Sequence, residues 1–158
     1  MDGNGDTSDI STALNELRER ASTSPEDADA WFSLGSALDN EGLESEAIEA
    51  YDRVLALGFE RLPEARRPEL FVQAGSTLRN LGRLNEALAL LEHGRMEWPG
   101  FRALTAFLAL VELSAGNDRR AALLLLQDAA GDHSGDASLR RYGRSLRAYA
   151  ADLEPDGE

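Results

Sequence analysis

A pattern of large and small residues recurs three times along the chain, at spacings that fit a helical hairpin. In each copy a small residue at the centre of one segment is followed by a glycine and, five positions later, by an alanine. The repeated positions are Trp31, Gly35, Gly42 and Ala47 in the first copy, Phe71, Gly75, Gly82 and Ala87 in the second, and Ala109, Gly116 and Ala121 in the third. The three helix-ending glycines lie 40 and then 34 residues apart, a period typical of stacked helical hairpins.

Each repeated position has a physical reason in such a hairpin. Trp31 and Phe71 are expected to fill the gap between the two helices of their hairpins, and Gly35 to let those helices approach closely. A glycine such as Gly42 ends the first helix in the left-handed conformation, which other residues adopt only with strain. Small residues such as Ala47 mark the positions where the helices cross. One hairpin cannot bury its apolar stripe alone, so the pattern predicts an all-α stack of repeats.

The sequence resembles the tetratricopeptide repeat proteins, in particular short bacterial ones in which the repeats form nearly the whole chain. The resemblance covers residues 25–130 and includes the closing proline of the second copy, Pro99. The third copy departs from the family pattern at Thr105, where a bulky aromatic is usual, and at Glu112, where an apolar residue is usual. The resemblance implies a right-handed superhelical stack of antiparallel helix pairs that binds other proteins and is not an enzyme.

The hydrophobic pattern predicts one helical domain over residues 8–153, with disordered tails at 1–7 and 154–158. A leading helix is followed by three predicted hairpins. The first pairs residues 25–40 with 44–57, the second ends near Glu97, and the third pairs residues 101–115 with 118–130. Ser24 is expected to cap the first hairpin, with Pro25 at its first helical position. Six extra residues near 61–68 predict a kink at Pro68 or a late helix start. A final helix at 137–153 would cover the end of the stack.

Composition narrows the class of partner. The net charge is −13, and residues 1–60 alone carry 15 acidic side chains against three arginines. So acidic a chain would repel a phosphate backbone, so nucleic acid is not expected as a partner. Cysteine is absent, which rules out disulfides and thiolate metal sites. The N-terminal stretch does not have the pattern of a secretory signal and no apolar run is long enough to span a bilayer, so we expect a cytoplasmic protein without membrane contact.

The residues offer no catalytic constellation. Asp128, Asp132, His133 and Asp136 have metal-ligand side chains at close spacing. They fall in a helix-to-helix connection, where Asp136 is a natural N-cap, and we interpret them as connection residues. No metal, cofactor or enzymatic activity is therefore expected.

The family resemblance implies that the first helix of each hairpin lines a concave groove that binds a peptide or helix. The positions that the resemblance assigns to this groove are Asp29, Phe32, Ser36, Asp39 and Asn40 in the first copy, Glu69, Val72, Ser76, Arg79 and Asn80 in the second, and Ala103, Ala106, Leu110 and Leu113 in the third. Family members that grip a C-terminal carboxylate use lysines there, and this chain has none. The groove changes from acidic to apolar, which predicts a basic, partly apolar ligand anchored by Phe32 and Leu110.

The sequence also allows two other occupants of the groove. The final helix can fold back over the apolar third copy. A second copy of the chain can close the surface instead, if the acidic first half meets the arginines of the last helix, Arg140, Arg141, Arg144 and Arg147. The simpler interpretation of those arginines is a solvated helix face.

Overall fold

The computed structural model describes residues 4–131 and 137–153, and the secondary structure of these residues is entirely helical. The all-α prediction is confirmed. The helices are α1 (Asn4–Thr23), α2 (Ala28–Asn40), α3 (Glu44–Leu57), α4 (Arg67–Asn80), α5 (Leu84–Glu97), α6 (Ala103–Ser114), α7 (Asp118–Ala129) and α8 (Ala137–Ala151). Within the described residues, none of these helices combines the length and apolar character that crossing a membrane requires.

The chain groups into two compact units, Met1–Gly82 and Arg83–Glu158. The first unit contains α1 to α4 and the second contains α5 to α8. Helix α1 begins at Asn4, inside the stretch predicted as a tail. Residues 1–3 and 154–158 of the two predicted tails lie outside the described residues.

The turn that ends the first helix of each repeat is the same in all three copies. Gly42, Gly82 and Gly116 have φ angles of 71°, 73° and 81°, as the pattern predicts. The residues after the first and third of these glycines, Leu43 and Asn117, both have φ −94° and ψ 55°. The third copy therefore keeps the register of the first, despite its departures from the family pattern.

In the first unit, α2 and α3 pack as an antiparallel hairpin around two aromatic rings. Phe32 and Tyr51 are both buried, with ring centroids 6.1 Å apart. A Cβ atom added at Gly35 would lie 2.6 Å from Cε1 of Tyr51, so only glycine allows the helices to approach this closely. The prediction that Gly35 lets the two helices approach closely is confirmed.

Two details of the first unit bear on the sequence-based expectations. The N-cap of α2 is Asp27 and not Ser24, because the Asp27 carboxylate accepts hydrogen bonds from the N–H groups of Asp29 and Ala30. Trp31 is partly exposed, whereas Phe71 at the matching position is fully buried. Trp31 lies beside Leu34 and Leu38 of α2 and Ala50 of α3, and its role in filling the gap between these helices stays a prediction.

The six extra residues form two short 3₁₀ helices, Phe59–Arg61 and Glu64–Arg66, before α4. Helix α4 starts at Arg67 with Pro68 in its first turn, where the missing N–H group costs no hydrogen bond. Of the two predicted outcomes, the late start is therefore the one observed. The Arg67 side chain holds this segment by donating to the carbonyl oxygens of Leu62 and Glu60.

In the second unit a buried carboxylate joins three helices. Glu112 on α6 accepts hydrogen bonds from Arg120 on α7 and from Asn117 just before α7. Arg120 also donates to Glu92 on α5, with the two atoms 2.7 Å apart. The carboxylate at a position that is usually apolar is thus satisfied by partners from its own repeat.

Helix α8 packs against α7, as predicted for a covering helix. Arg119 on α7 donates to the carbonyl oxygens of Leu153 and Asp152 at the end of α8. In return, Arg147 on α8 donates to the carbonyl oxygen of Ala130, 2.8 Å away. One of the arginines assigned to a solvated face therefore holds the helix in place.

We expect the substitution Gly35→Ala to lower the free energy of unfolding by about 1–3 kcal/mol, because the added methyl group meets a buried ring that cannot move freely. Urea unfolding followed by circular dichroism measures this change. Gly100→Ala is the matched control, since nothing lies within 4 Å of a Cβ atom built there. Equal stability losses in the two variants would contradict the close-approach interpretation.

Candidate functional site

Helices α2 and α4 lie side by side and run in the same direction. Two side-chain contacts, one at each pair of matching helix ends, show this arrangement. At the N-terminal ends, Nη1 of Arg66 lies 2.7 Å from Oδ1 of Asp29. At the C-terminal ends, Oγ1 of Thr77 lies 3.0 Å from Oδ1 of Asp39. The first helices of the first two repeats thus form one surface within the first unit.

The contact at the N-terminal ends reduces the negative charge that the sequence predicts for this surface. Arg66 pairs with Asp29, and its guanidinium lies 5.3 Å from the centroid of the Phe32 ring. Arg20 adds a second cation 3.6 Å from the Asp29 carboxylate. The first copy is therefore less acidic at this end than predicted, since Asp29 pairs with Arg66 and also lies near Arg20, which it shares with Asp27.

Phe32 is 3% exposed, with Tyr51 near one side of its ring and Arg66 over the ring. Its predicted role as an anchor for a ligand is corrected, because a core side chain offers no apolar area to a partner. The sequence feature related to this coverage is the set of extra residues before α4, which includes the arginines Arg61, Arg66 and Arg67.

The contact at the C-terminal ends contains a partly buried acid. Burial raises the pKa of the Asp39 carboxyl, the hydrogen bond from Thr77 acts in the opposite direction, and the nearby Glu44 adds to the increase. Tyr51 lies in the same cluster, where its hydroxyl is 2.8 Å from Oε1 of Gln73 on α4. Burial, with a smaller contribution from Asp39, also raises the pKa of Tyr51 above its usual range.

Apart from the buried Phe32, the predicted groove residues are exposed or partly exposed. In the first unit, the exposed side chains are those of Asn40, Glu69 and Asn80. The partly exposed ones are those of Asp29, Ser36, Asp39, Val72, Ser76 and Arg79. In the second unit, Ala106 and Leu110 are exposed on α6.

Leu110 and Leu113 are 41% and 46% exposed, and with Ala106 they form a stripe along one face of α6. The contacts described for α8 are with α7. The described part of the final helix therefore leaves this apolar stripe open, and the alternative in which that helix fills it is not observed.

Among the residues whose side chains the structure describes, no group of histidine, aspartate and glutamate is suited to hold a metal ion. Asp128 from the predicted connection cluster is paired with Arg102, with Nη2 and Oδ2 2.6 Å apart. Asp132, His133 and Asp136 lie outside the described residues.

Comparison with known proteins gives one family, and the solved structures with a similar fold include two of MamA. The family model for the tetratrico peptide repeat matches residues 28–153. A crystal structure of MamA is 17% identical with a TM-score of 0.66, over 97% of this chain and 95% of that one. A second MamA crystal structure is 17% identical with a TM-score of 0.61, over 94% of this chain and 70% of that one. This identity supports a shared fold alone, and no curated protein matches the sequence.

We expect Asp39→Asn to stabilise the protein at neutral pH, because the amide oxygen still accepts from Thr77 without a charge to desolvate. A folded-state pKa above the unfolded value means that the wild-type carboxyl favours folding below the unfolded value of 3.8 and loses this contribution as the pH rises through the raised pKa. The advantage of the variant should therefore be largest at pH 7 and shrink towards pH 4. Urea unfolding at both pH values measures it.

The control for this experiment is Glu41→Gln, which removes one negative charge from an exposed position next to the same helix end. Its effect should vary less with pH than that of Asp39→Asn. The same pH dependence in both variants would contradict a specific role for burial at Asp39.

Proposed function

The chain belongs to the tetratrico peptide repeat family, whose members are protein–protein interaction modules, and we propose that this one is a non-catalytic adaptor that holds a peptide or helix of another protein. We place one contact surface in each unit, on the first helices of its repeats. These are α2 and α4 in the first unit and α6 in the second.

The observation that carries the proposal is the open apolar stripe on α6. Ala106, Leu110 and Leu113 are exposed together, and α6 is otherwise packed between α5 and α7. Contiguous apolar side chains on a protein surface mark interaction sites more often than isolated ones do. This stripe fits the apolar face of a helical segment, with Leu110 as its central contact.

The surface of α2 and α4 supplies polar contacts. Ser36 and Ser76 are partly exposed, and Asn40 and Asn80 are exposed at the ends of their helices. Side chains of this kind form hydrogen bonds with the backbone or polar groups of a bound segment. We therefore assign them to polar contacts with a segment bound to the first unit, and we assign the leucines of α6 to apolar contacts on the surface of the second unit.

We propose a ligand that is basic as well as partly apolar. Glu69 is an exposed acid on α4, and the whole chain carries a net charge of −13. Asp29 contributes less to this preference than its sequence position suggests, since Arg66 and Arg20 pair with it. The same net charge disfavours nucleic acid, and we extend the proposal to a cytoplasmic protein that works without nucleic acid, membrane or cofactor.

A homodimer is the second candidate, and the exposed leucines of α6 favour it as well. A second copy placed on the stripe would bury Leu110 and Leu113 as effectively as a foreign helix. In this case the function would be structural, and the interface would be occupied without any other partner.

Capture from a lysate of the source cells tests the adaptor, with two matched pairs of variants. Leu110→Glu and Glu69→Arg alter the proposed surface, while Leu125→Glu on α7 and Glu49→Arg on α3 make the same changes at exposed positions elsewhere. We expect a protein that is retained by the wild type and both controls and lost with the two surface variants. Loss with surface and control variants alike would contradict the proposal.

The mass in solution distinguishes the homodimer. Light scattering at low and high salt should give the mass of one chain if the adaptor is correct. A dimer that Leu110→Glu dissociates and Leu125→Glu leaves intact would establish self-association through α6 and would contradict the adaptor.

A further inference from the structure

The first and third repeats can be compared position by position. Residues 25–57 align without a gap with residues 99–131, and α3 and α7 begin at equivalent positions, Glu44 and Asp118. The turns before α2 and α6 also share a backbone hydrogen bond. The N–H group of Asp27 donates to the carbonyl oxygen of Ser24 at 2.9 Å, and the N–H group of Phe101 donates to that of Trp98 at 2.9 Å.

Within this shared framework, one large side chain is missing from the third repeat. In the first repeat, Nε1 of Trp31 donates to the carbonyl oxygen of Pro25, 3.1 Å away. The equivalent residues in the third repeat are Thr105 and Pro99. The third repeat therefore keeps the proline of this arrangement and has a much smaller side chain in place of the indole.

A recess of about 490 Å³ lies at this position in the second unit. Thr105, Leu124 and Gly131 contribute to its lining. Gly131 is equivalent to Leu57 of the first repeat, so a second large side chain is missing from the same place. The recess lies within the range of typical ligand pockets, and its volume exceeds that of a single indole ring.

The mouth of the recess is open and carries a cation. Met96 is 74% exposed, and Pro99 and Gly100 beside it are exposed as well. Arg95 and Arg102 both line the recess, and Arg102 is neutralised by Asp128. Arg95 thus leaves the lining with a net positive charge.

We propose that this recess binds a tryptophan side chain of a partner protein, flanked by acidic residues. The indole would occupy the space above Thr105 and Leu124 and donate its N–H to the Pro99 carbonyl, as Trp31 does to Pro25 within the first repeat. The acidic neighbours of that tryptophan would face Arg95. Tryptophan is the residue type best suited to such a contact, since it combines a large apolar area with one N–H donor.

This surface is separate from the one proposed for the adaptor. None of the residues lining the recess belongs to the stripe of Ala106, Leu110 and Leu113 on α6. A failure of either proposal therefore leaves the other to be tested by its own variants.

Titration with a synthetic peptide, acetyl-Glu-Glu-Trp-Glu-Glu-amide, tests the proposal. Chemical shifts of the ¹⁵N-labelled protein report both the affinity and the position of binding. We expect shifts at Thr105, Gly131 and the neighbouring backbone amides, and binding at least about tenfold weaker when the peptide tryptophan is replaced by alanine. The absence of binding by the wild type, or shifts confined to other regions, would overturn the proposal.

Variants of the recess provide the second test. Thr105→Trp supplies the missing indole from the chain itself and should weaken peptide binding by about tenfold or more while the melting temperature stays equal or rises. Thr105→Ser keeps the recess open and should bind like the wild type. If Thr105→Trp does not fold, Gly131→Leu fills the other half of the recess and should have the same effect on binding.

A separate pair of variants tests the contribution of Arg95 to peptide binding. Arg95→Glu should weaken binding of the acidic peptide by about threefold or more, whereas Arg53→Glu in the first unit should not change it. Wild-type affinity in Arg95→Glu, Thr105→Trp or Gly131→Leu would overturn the assignment. Self-association of the protein that Thr105→Trp abolishes would place a second copy in the recess and would overturn it as well.

Discussion

The close approach of α2 and α3 at Gly35 is the constraint on which the arrangement of the first unit depends. Because Gly35 has no side chain, the Tyr51 ring lies directly against the backbone of α2. In this position the Tyr51 hydroxyl reaches Gln73 on α4. One missing Cβ atom therefore lets Tyr51 hold α4 at this place, and the contact between Thr77 and Asp39 completes the link back to α2.

The repeated pattern predicted the parts of the fold that depend on local spacing. The hairpin boundaries near Asn40, Glu44 and Leu57 and the left-handed glycines at the turns agree with the sequence-based prediction. These features can be predicted from the sequence because few residue types can replace a glycine with positive φ or a buried small residue. The exposed Leu110 also follows from the phase of its helix.

The parts that the pattern did not predict depend on contacts between distant segments. Phe32 occupies a groove position of the family, yet Arg66 from the extra residues before α4 covers its ring. A template without those residues cannot indicate that coverage, nor that Asp29 is paired. In the same way, the pattern gives the position of Trp31 and not how deeply its environment buries this side chain.

The two departures of the third repeat have different outcomes. Thr105 leaves space beside it, whereas Glu112 is matched by Arg120 and Asn117. A buried carboxylate that loses its cation is costly, while an apolar pair at the same place is tolerated. In evolutionary terms, the order of change at these two positions matters. A lineage that loses Arg120 first leaves Glu112 buried without its cation, whereas one that loses Glu112 first leaves a half-exposed Arg120 that still pairs with Glu92.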